Sequence, residues 1–331
     1  MIAGERILIT GVTGTIGSAL ALHLAHLNEV WGLARFAGTE TREKEAYDAV
    51  ASPPPSRVLS TREALAEAGV KVRAVDLADP DFTGIPEHFT YVIHLAWLRA
   101  GIDQLQDAFR ANVEGAGLLL QHCRRAKAAL VMSGMGVYSA NDDPWHAYTE
   151  TDPMGRGATA YAPTSPACKL GLESVARFSA RAFDLPVVIT RLNSLTGLPG
   201  TFPAMHIDAV MEGRRMTAPS DPTPHTPIHI DDMKWMLEPL LDAASTTALT
   251  TNWCGDDDTT VQDWMRDAAA WSGREALLDV VPVVGSPAGA RSDPTRRQSI
   301  TGPCRTRFPD TFRTLFEDLT GVTPPAQGSG A

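Results

Sequence analysis

The stretch that decides the reading is Arg6-Ile7-Leu8-Ile9-Thr10-Gly11-Val12-Thr13-Gly14-Thr15-Ile16-Gly17. Its first five residues form an apolar run that predicts a short buried strand. The segment that follows, Ser18 to Leu27, carries apolar residues at helical spacing. Between them lies a glycine turn at a helix N-terminus, where Thr13, Thr15 and Ile16 alternate with the glycines. Backbone N–H groups and the helix dipole converge there, which makes an anion site. Gly11 permits the tight turn, Gly14 lets the main chain approach a pyrophosphate, and Gly17 lets the helix pack on the strand. A glycine pattern by itself also describes an ordinary turn. The strand before it and the helix after it predict a dinucleotide.

A second apolar run, Glu29-Val30-Trp31-Gly32-Leu33, ends in Ala34-Arg35. In a dinucleotide fold this strand end faces the adenosine ribose. A carboxylate there would bind a free 2′-hydroxyl, whereas an arginine suits a 2′-phosphate. The guanidinium is always charged and matches phosphate oxygens in pairs. Arg35, with no acidic residue until Glu40, therefore predicts NADP (as NADPH) rather than NAD.

At 331 residues with 44% hydrophobic content, the chain can bury one large core or two modest ones. The net charge of −10 argues against nucleic-acid and anionic-membrane partners. No apolar run is long enough to span a bilayer and Met1 leads straight into the first strand, so the cytosol is the expected compartment. Cys123, Cys168, Cys254 and Cys304 lack metal-ligand spacing, so free thiols and no metal are expected.

Strand and helix signals alternate to about residue 195. Strands are predicted at Val70–Val75, Tyr91–Leu95, Ala129–Ser133 and Pro186–Leu192, with long helices around Asp103–Ala126 and Pro166–Phe183. Phe36 to Gly69 is long for a crossover, with Pro53-Pro54-Pro55 at its centre as a loop. Such alternation predicts an α/β fold, a Rossmann-type doubly wound parallel sheet. Residues 1–194 would form the NADP-binding domain, joined again by 228–254 through a helix near Asp231–Leu241 and a strand near Leu249–Trp253. Residues 195–227 and 255–323 would form a smaller α+β substrate domain, and 324–331 a disordered tail.

Further motifs fall in a consistent order. They are Asp76-Leu77, His94-Leu95-Ala96, Asn112-Val113-Glu114-Gly115, Val137-Tyr138, Glu150 to Pro153, Lys169 with Glu173, Arg191 to Gly197, and Ile228-His229-Ile230-Asp231-Asp232. With the glycine loop, they resemble the extended short-chain dehydrogenase/reductase superfamily, which includes the nucleotide-sugar epimerases and dehydratases. The resemblance spans roughly residues 6 to 241. It implies that Asp76 and Leu77 contact adenine and that Leu95, Ala96, Asn112 and Leu195 lie along the cofactor. Lys169 would bind the nicotinamide ribose.

The departures concern the chemistry. Family members carry Y-x-x-x-K, and the residue four before Lys169 is Ser165. They also carry a serine three residues before the valine of V-Y, and that place is Gly134. The usual tyrosine exchanges a proton with the substrate oxygen, and the usual serine holds that oxygen. Candidate stand-ins are Ser133, Ser165 and Tyr161. Ser133 is expected to face the opposite side of its strand. Ser165 is expected to be an N-cap ahead of Pro166, and Tyr161 a wall residue. His206, His225 and His229 are further candidates by chemistry alone.

A substrate pocket is expected from Trp97, Met135, Trp145, Tyr161, Met205 and His206. This aromatic and Met-rich set suits a flat apolar ligand. The expected activity is NADPH-dependent reduction of a ketone in a bulky, polycyclic aromatic polyketide, as in antibiotic biosynthesis. The alternatives are an NADP-binding regulatory protein, or a dehydratase or cyclase without net redox change.

Overall fold

The computed structural model describes residues 2–35, 56–155 and 162–325. The apolar run forms β1 (Arg6–Thr10), and the glycine turn passes the chain to α1 (Thr15–Ala25). Next come β2 (Glu29–Ala34), α2 (Ser56–Glu67), β3 (Lys71–Ala74) and β4 (Tyr91–His94). The helix predicted across 103–126 is divided. It runs as α3 (Leu105–Phe109), a π-helical stretch Arg110–Glu114, and α4 (Gly115–His122). A π turn inserts a residue and rotates the helix beyond it. Here Gly115 is set so close to Leu77 that a Cβ would fall 2.1 Å from the Leu77 carbonyl oxygen.

The chain continues through β5 (Ala128–Gly134), α5 (Ser165–Ala182) and β6 (Val187–Leu192). Then follow β7 (Leu195–Thr196), α6 (Phe202–Glu212), β8 (Met216–Ala218), β9 (Pro224–His225), β10 (Ile228–His229) and α7 (Ile230–Asp242). The last elements are β11 (Leu249–Trp253), β12 (Thr259–Thr260), α8 (Val261–Ser272), β13 (Leu278–Val280), α9 (Thr295–Thr301) and α10 (Phe308–Thr320).

Seven strands make one parallel sheet in the order β11-β6-β5-β4-β1-β2-β3. The Rossmann-like architecture expected from the alternation is therefore present. Both faces are buried, as parallel sheets require, and side chains alternate between two cores. Ile7, Ile9, Val30, Ile93, Leu130 and Val188 pack with α1 and α7. Leu8, Leu33, Val92, Val131 and Ile189 pack with α4 and α5. A third core joins α6, α8 and α10 around Trp264, Phe308, Phe312 and Phe316.

β1 lies between β4 and β2, so strands are added on one side of β1 through β3 and on the other from β4 onward, which makes the β1–β4 boundary the switch point. Ligands of open parallel sheets bind at such a switch point, beyond the strands' carboxyl ends. The four cysteines are free. Among the described residues, no helix is long and apolar enough to cross a membrane, and no cluster of potential metal ligands occurs. The Pro53-Pro54-Pro55 stretch, Tyr161 and residues 326–331 of the expected tail lie outside the described residues.

Candidate active site

The turn after β1 is built as the glycines require. Gly11 has φ +69°, and a Cβ there would stand 2.9 Å from the Ala96 backbone after β4. The Gly14 N–H donates to the Gly11 carbonyl at 2.9 Å, and α1 begins one residue later with no side chain capping it. The first amides of a helix have no intrahelical acceptor. Thr13, Gly14, Thr15 and Ile16 are open to solvent to varying degrees, while Gly17 is buried against the turn. Exposed amides and the absence of any Cβ at Gly14 fit a pyrophosphate. Arg35 follows the carboxyl end of β2, half-buried. Asp76 is exposed and accepts from the Ala78 N–H, with Leu77 buried beneath Gly115.

Beyond β4, Thr10 ties the next loop down. Its Oγ1 accepts from the N–H groups of Leu95 and Ala96, each at 3.1 Å, and lies 2.8 Å from His94 Nδ1. With both acceptor directions used, the hydroxyl donates to Nδ1, leaving the proton of neutral His94 on Nε2. Burial, helped by the charge of Lys169, holds the His94 pKa down to about 3. Asn112, expected beside the cofactor, is 2% exposed, and its amide bridges the N–H and carbonyl of Leu98. It shapes the loop instead of presenting a free amide.

Lys169 stands on α5 with its Nζ donating to the Met132 carbonyl of β5 at 2.7 Å. The Trp97 ring centroid is 3.7 Å from that Nζ. Burial lowers the lysine pKa to about 7, with Glu173 opposing. One turn further, Glu173 accepts from Arg191 Nε and Nη2, both at 2.9 Å, and both side chains are 1% exposed. Burial would raise the Glu173 pKa, but the hydrogen bonds and charge of Arg191 outweigh it and lower the value.

The stand-in hydroxyls are placed differently from one another. The alternation that sends Ala129 and Val131 into the α5-side core carries Ser133 to the same side, buried near Glu173. Ser165 is the first residue of α5, one turn before Lys169. The cap position expected for Ser165 belongs to Thr164, because the Ser165 N–H already closes a turn onto the Ala162 carbonyl. Thr164 uses its hydroxyl on the Ala100 carbonyl. His229 serves as the cap of α7 and also fills the space above Gly197, where a Cβ would fall 2.1 Å from its Nε2.

The expected pocket residues divide into groups. Trp97 covers Lys169. Met135 lies by Ser292, whose Oγ is 2.9 Å from the Met135 sulfur and 2.7 Å from Asn193 Nδ2. Trp145 is 45% exposed, with its carbonyl accepting from Arg291. On α6, Met205 is half-buried. His206 is 1% exposed, donates from Nδ1 to the Phe202 carbonyl, and packs against Trp264. Burial lowers His206 to about 4 and His225 to about 3, so both are neutral near pH 7. His225 Nδ1 is 2.8 Å from Ser194 Oγ. No local motif signals the Ser194–His225 pair, because it joins β9 to the loop after β6.

Residues 7–219 match the NAD dependent epimerase/dehydratase family. The chain belongs to that family. Solved structures agree in fold. UDP-glucuronic acid 4-epimerase from Bacillus cereus, in complex with UDP-glucuronic acid and NAD, is 19% identical with a TM-score of 0.78. That likeness covers 96% of this chain and 99% of the epimerase. DesIV, a dTDP-glucose 4,6-dehydratase from Streptomyces venezuelae, is 19% identical at TM-score 0.73, covering 95% of this chain and 97% of DesIV. WbmG from Bordetella bronchiseptica, in complex with NAD, is 19% identical at TM-score 0.70, covering 97% and 96%. No curated protein sequence matches the chain.

Proposed function

We propose that this protein is an oxidoreductase that binds a nicotinamide dinucleotide at the glycine turn and reduces a ketone. The observation that carries the reading is the pairing of an open pyrophosphate cradle at the β1–β4 switch point with Lys169 of α5, whose Nζ reaches the carboxyl-terminal half of β5. The neighbouring structures contain NAD; Arg35 at the end of β2 favours NADP for this chain. When bound, the dinucleotide supplies the hydride. The protein's own part is to align the ketone and exclude water, which can lower a barrier greatly without a covalent intermediate.

For the substrate, the reading is a flat, bulky ketone, such as a polycyclic aromatic polyketide of an antibiotic. The expected lining residues Trp97, Met135 and Met205 are apolar. Such a lining suits an uncharged ring system better than a diphosphate. The second reading is epimerisation or dehydration of a nucleotide sugar. It draws on what the neighbours act on, and the absence of the family's two hydroxyls at Gly134 and Ser165 bears on both readings alike. Incubation with NADPH or NADH and panels of aryl ketones and UDP-sugars separates the two. Loss of cofactor absorbance with aryl ketones supports the reductase. Interconversion of a UDP-sugar without net cofactor loss supports the second reading, and tight binding without turnover supports a regulatory protein.

A further inference from the structure

The Lys169 ammonium is fixed from two sides. Its Nζ donates to the Met132 carbonyl at 2.7 Å and lies 3.7 Å from the centroid of the Trp97 ring. Carbonyl oxygens and aromatic faces both attract a cation. An ammonium has three N–H donors, so one is left for another partner. Met132 stands two residues before Gly134, where the family has the serine that holds the substrate oxygen. Ser165, in the tyrosine's place, lies one turn before Lys169 on the same helix. Lys169 therefore carries a transferable proton one helical turn from Ser165, on an ammonium bound to the strand that ends at Gly134.

We propose that Lys169 is itself the proton donor of this site and that Trp97 positions its ammonium. This rests on the ketone-reductase reading above. In the step, the carbonyl carbon accepts a hydride from the dihydronicotinamide, which is oxidised, and the C=O π electrons move to oxygen. An N–H bond of Lys169 breaks as the O–H bond of the alcohol forms. Lys169 is left as a neutral amine and regains a proton from water.

The groups facing Nζ come from three elements. Cys168 and Glu173 are on α5, Arg99 is in the loop after β4, and His94 ends β4. Burial holds the lysine pKa down to about 7, with Glu173 and Cys168 acting against it and Arg99 with it. An acid near that value is partly charged at neutral pH and gives up its proton readily, as general acid catalysis requires.

The chain has five lysines, Lys44, Lys71, Lys127, Lys169 and Lys234, so 13C at lysine Cε yields a simple spectrum whose pH titration reads each Nζ. Lys169→Arg removes one signal and so assigns it. In the full-length protein we expect that signal to titrate about three pH units below an ordinary lysine. Trp97→Ala admits water to Nζ, and because relief of burial outweighs the lost cation–π attraction it should raise the midpoint by about one unit or more; Trp97→Phe, which still shields Nζ from water, should restore most of it. Turnover of NADPH with an aryl ketone should fall about tenfold per pH unit above the lysine midpoint. Lys169→Arg keeps its charge at every accessible pH. With NADPH kept saturating, it should lose that limb and turn over roughly a hundred- to ten-thousandfold more slowly.

An ordinary lysine midpoint in the folded wild type overturns the proposal. So does a limb that survives in Lys169→Arg, or ketone reduction with a flat profile in the wild type. If Lys169 titrates near neutrality and no ketone consumes NADPH, the reductase reading fails, and the proton-donor role fails with it.

Discussion

A Cβ on Gly17 would stand 2.1 Å from the carbonyl oxygen of Gly11, a distance no packed carbon tolerates. A Cβ on Gly14 would meet the same oxygen at 3.2 Å, which small shifts can absorb. The two glycines therefore separate folding from binding. Gly14→Ala should melt close to the wild type and bind NADPH weakly, while Gly17→Ala should lower the melting temperature itself. Thermal melts paired with calorimetry test this; a Gly14→Ala protein that binds NADPH normally would remove the phosphate from that turn.

Arg35 should set the cofactor preference. A charge-assisted bond to a 2′-phosphate contributes roughly 1.5–3 kcal/mol, or about ten- to a hundredfold in affinity. NADPH should bind that much more tightly than NADH, and Arg35→Ala should abolish most of the difference. Equal affinities in the wild type by calorimetry would contradict the assignment.

The Glu173–Arg191 pair joins α5 to β6 with both side chains 1% exposed. Removing one partner of a buried pair leaves the other uncompensated, at about 3–5 kcal/mol. Glu173→Gln should lower the urea midpoint accordingly. The Glu173 pKa is lowered in the fold, so its stabilisation is full above the unfolded value near 4.5 and is lost as pH falls through the folded value. A midpoint unchanged in Glu173→Gln at pH 7 would show that the pair is energetically neutral.

Acid should weaken the protein well before the carboxylates titrate. His94 and His206 are 1% exposed, with pKa values lowered by burial to about 3 and about 4. Unfolded histidines bind a proton below about 6.5, whereas these two in the fold do not until the pH is far lower. The unfolded state thus holds more protons, and stability drops by about 1.4 kcal/mol per pH unit for each histidine as pH falls from 6.5 toward 4. Urea midpoints at several pH values should show this slope, and His206→Gln should make it shallower; identical slopes would place the acid sensitivity elsewhere.

What could be read from the chain alone follows from local rules. The turn at Gly11 to Gly17, the alternation of strands and helices, and Arg35 after β2 all rest on backbone geometry or short spacing. The places of Asn112 and His206 do not. An amide in N-V-x-G and a histidine on an amphipathic helix carry no mark of what the tertiary structure sets against them, here Leu98 and Trp264. The Trp97–Lys169 and Ser194–His225 pairs join distant segments and so escape any periodic pattern. The π turn at Arg110–Glu114 is similarly hidden, since its residues favour an ordinary helix equally well.

The strand order carries a consequence for synthesis. β6 is paired on one side by β5 and on the other by β11, which leaves the ribosome only after the whole segment from β7 through α7. At roughly 5–20 residues per second, the free edge of β6 waits on the order of several seconds for its partner. Unpaired strand edges template aggregation during such intervals. The helix made in the meantime that packs on the sheet, α7, is thus available to cover one face of the nascent sheet before β11 closes it.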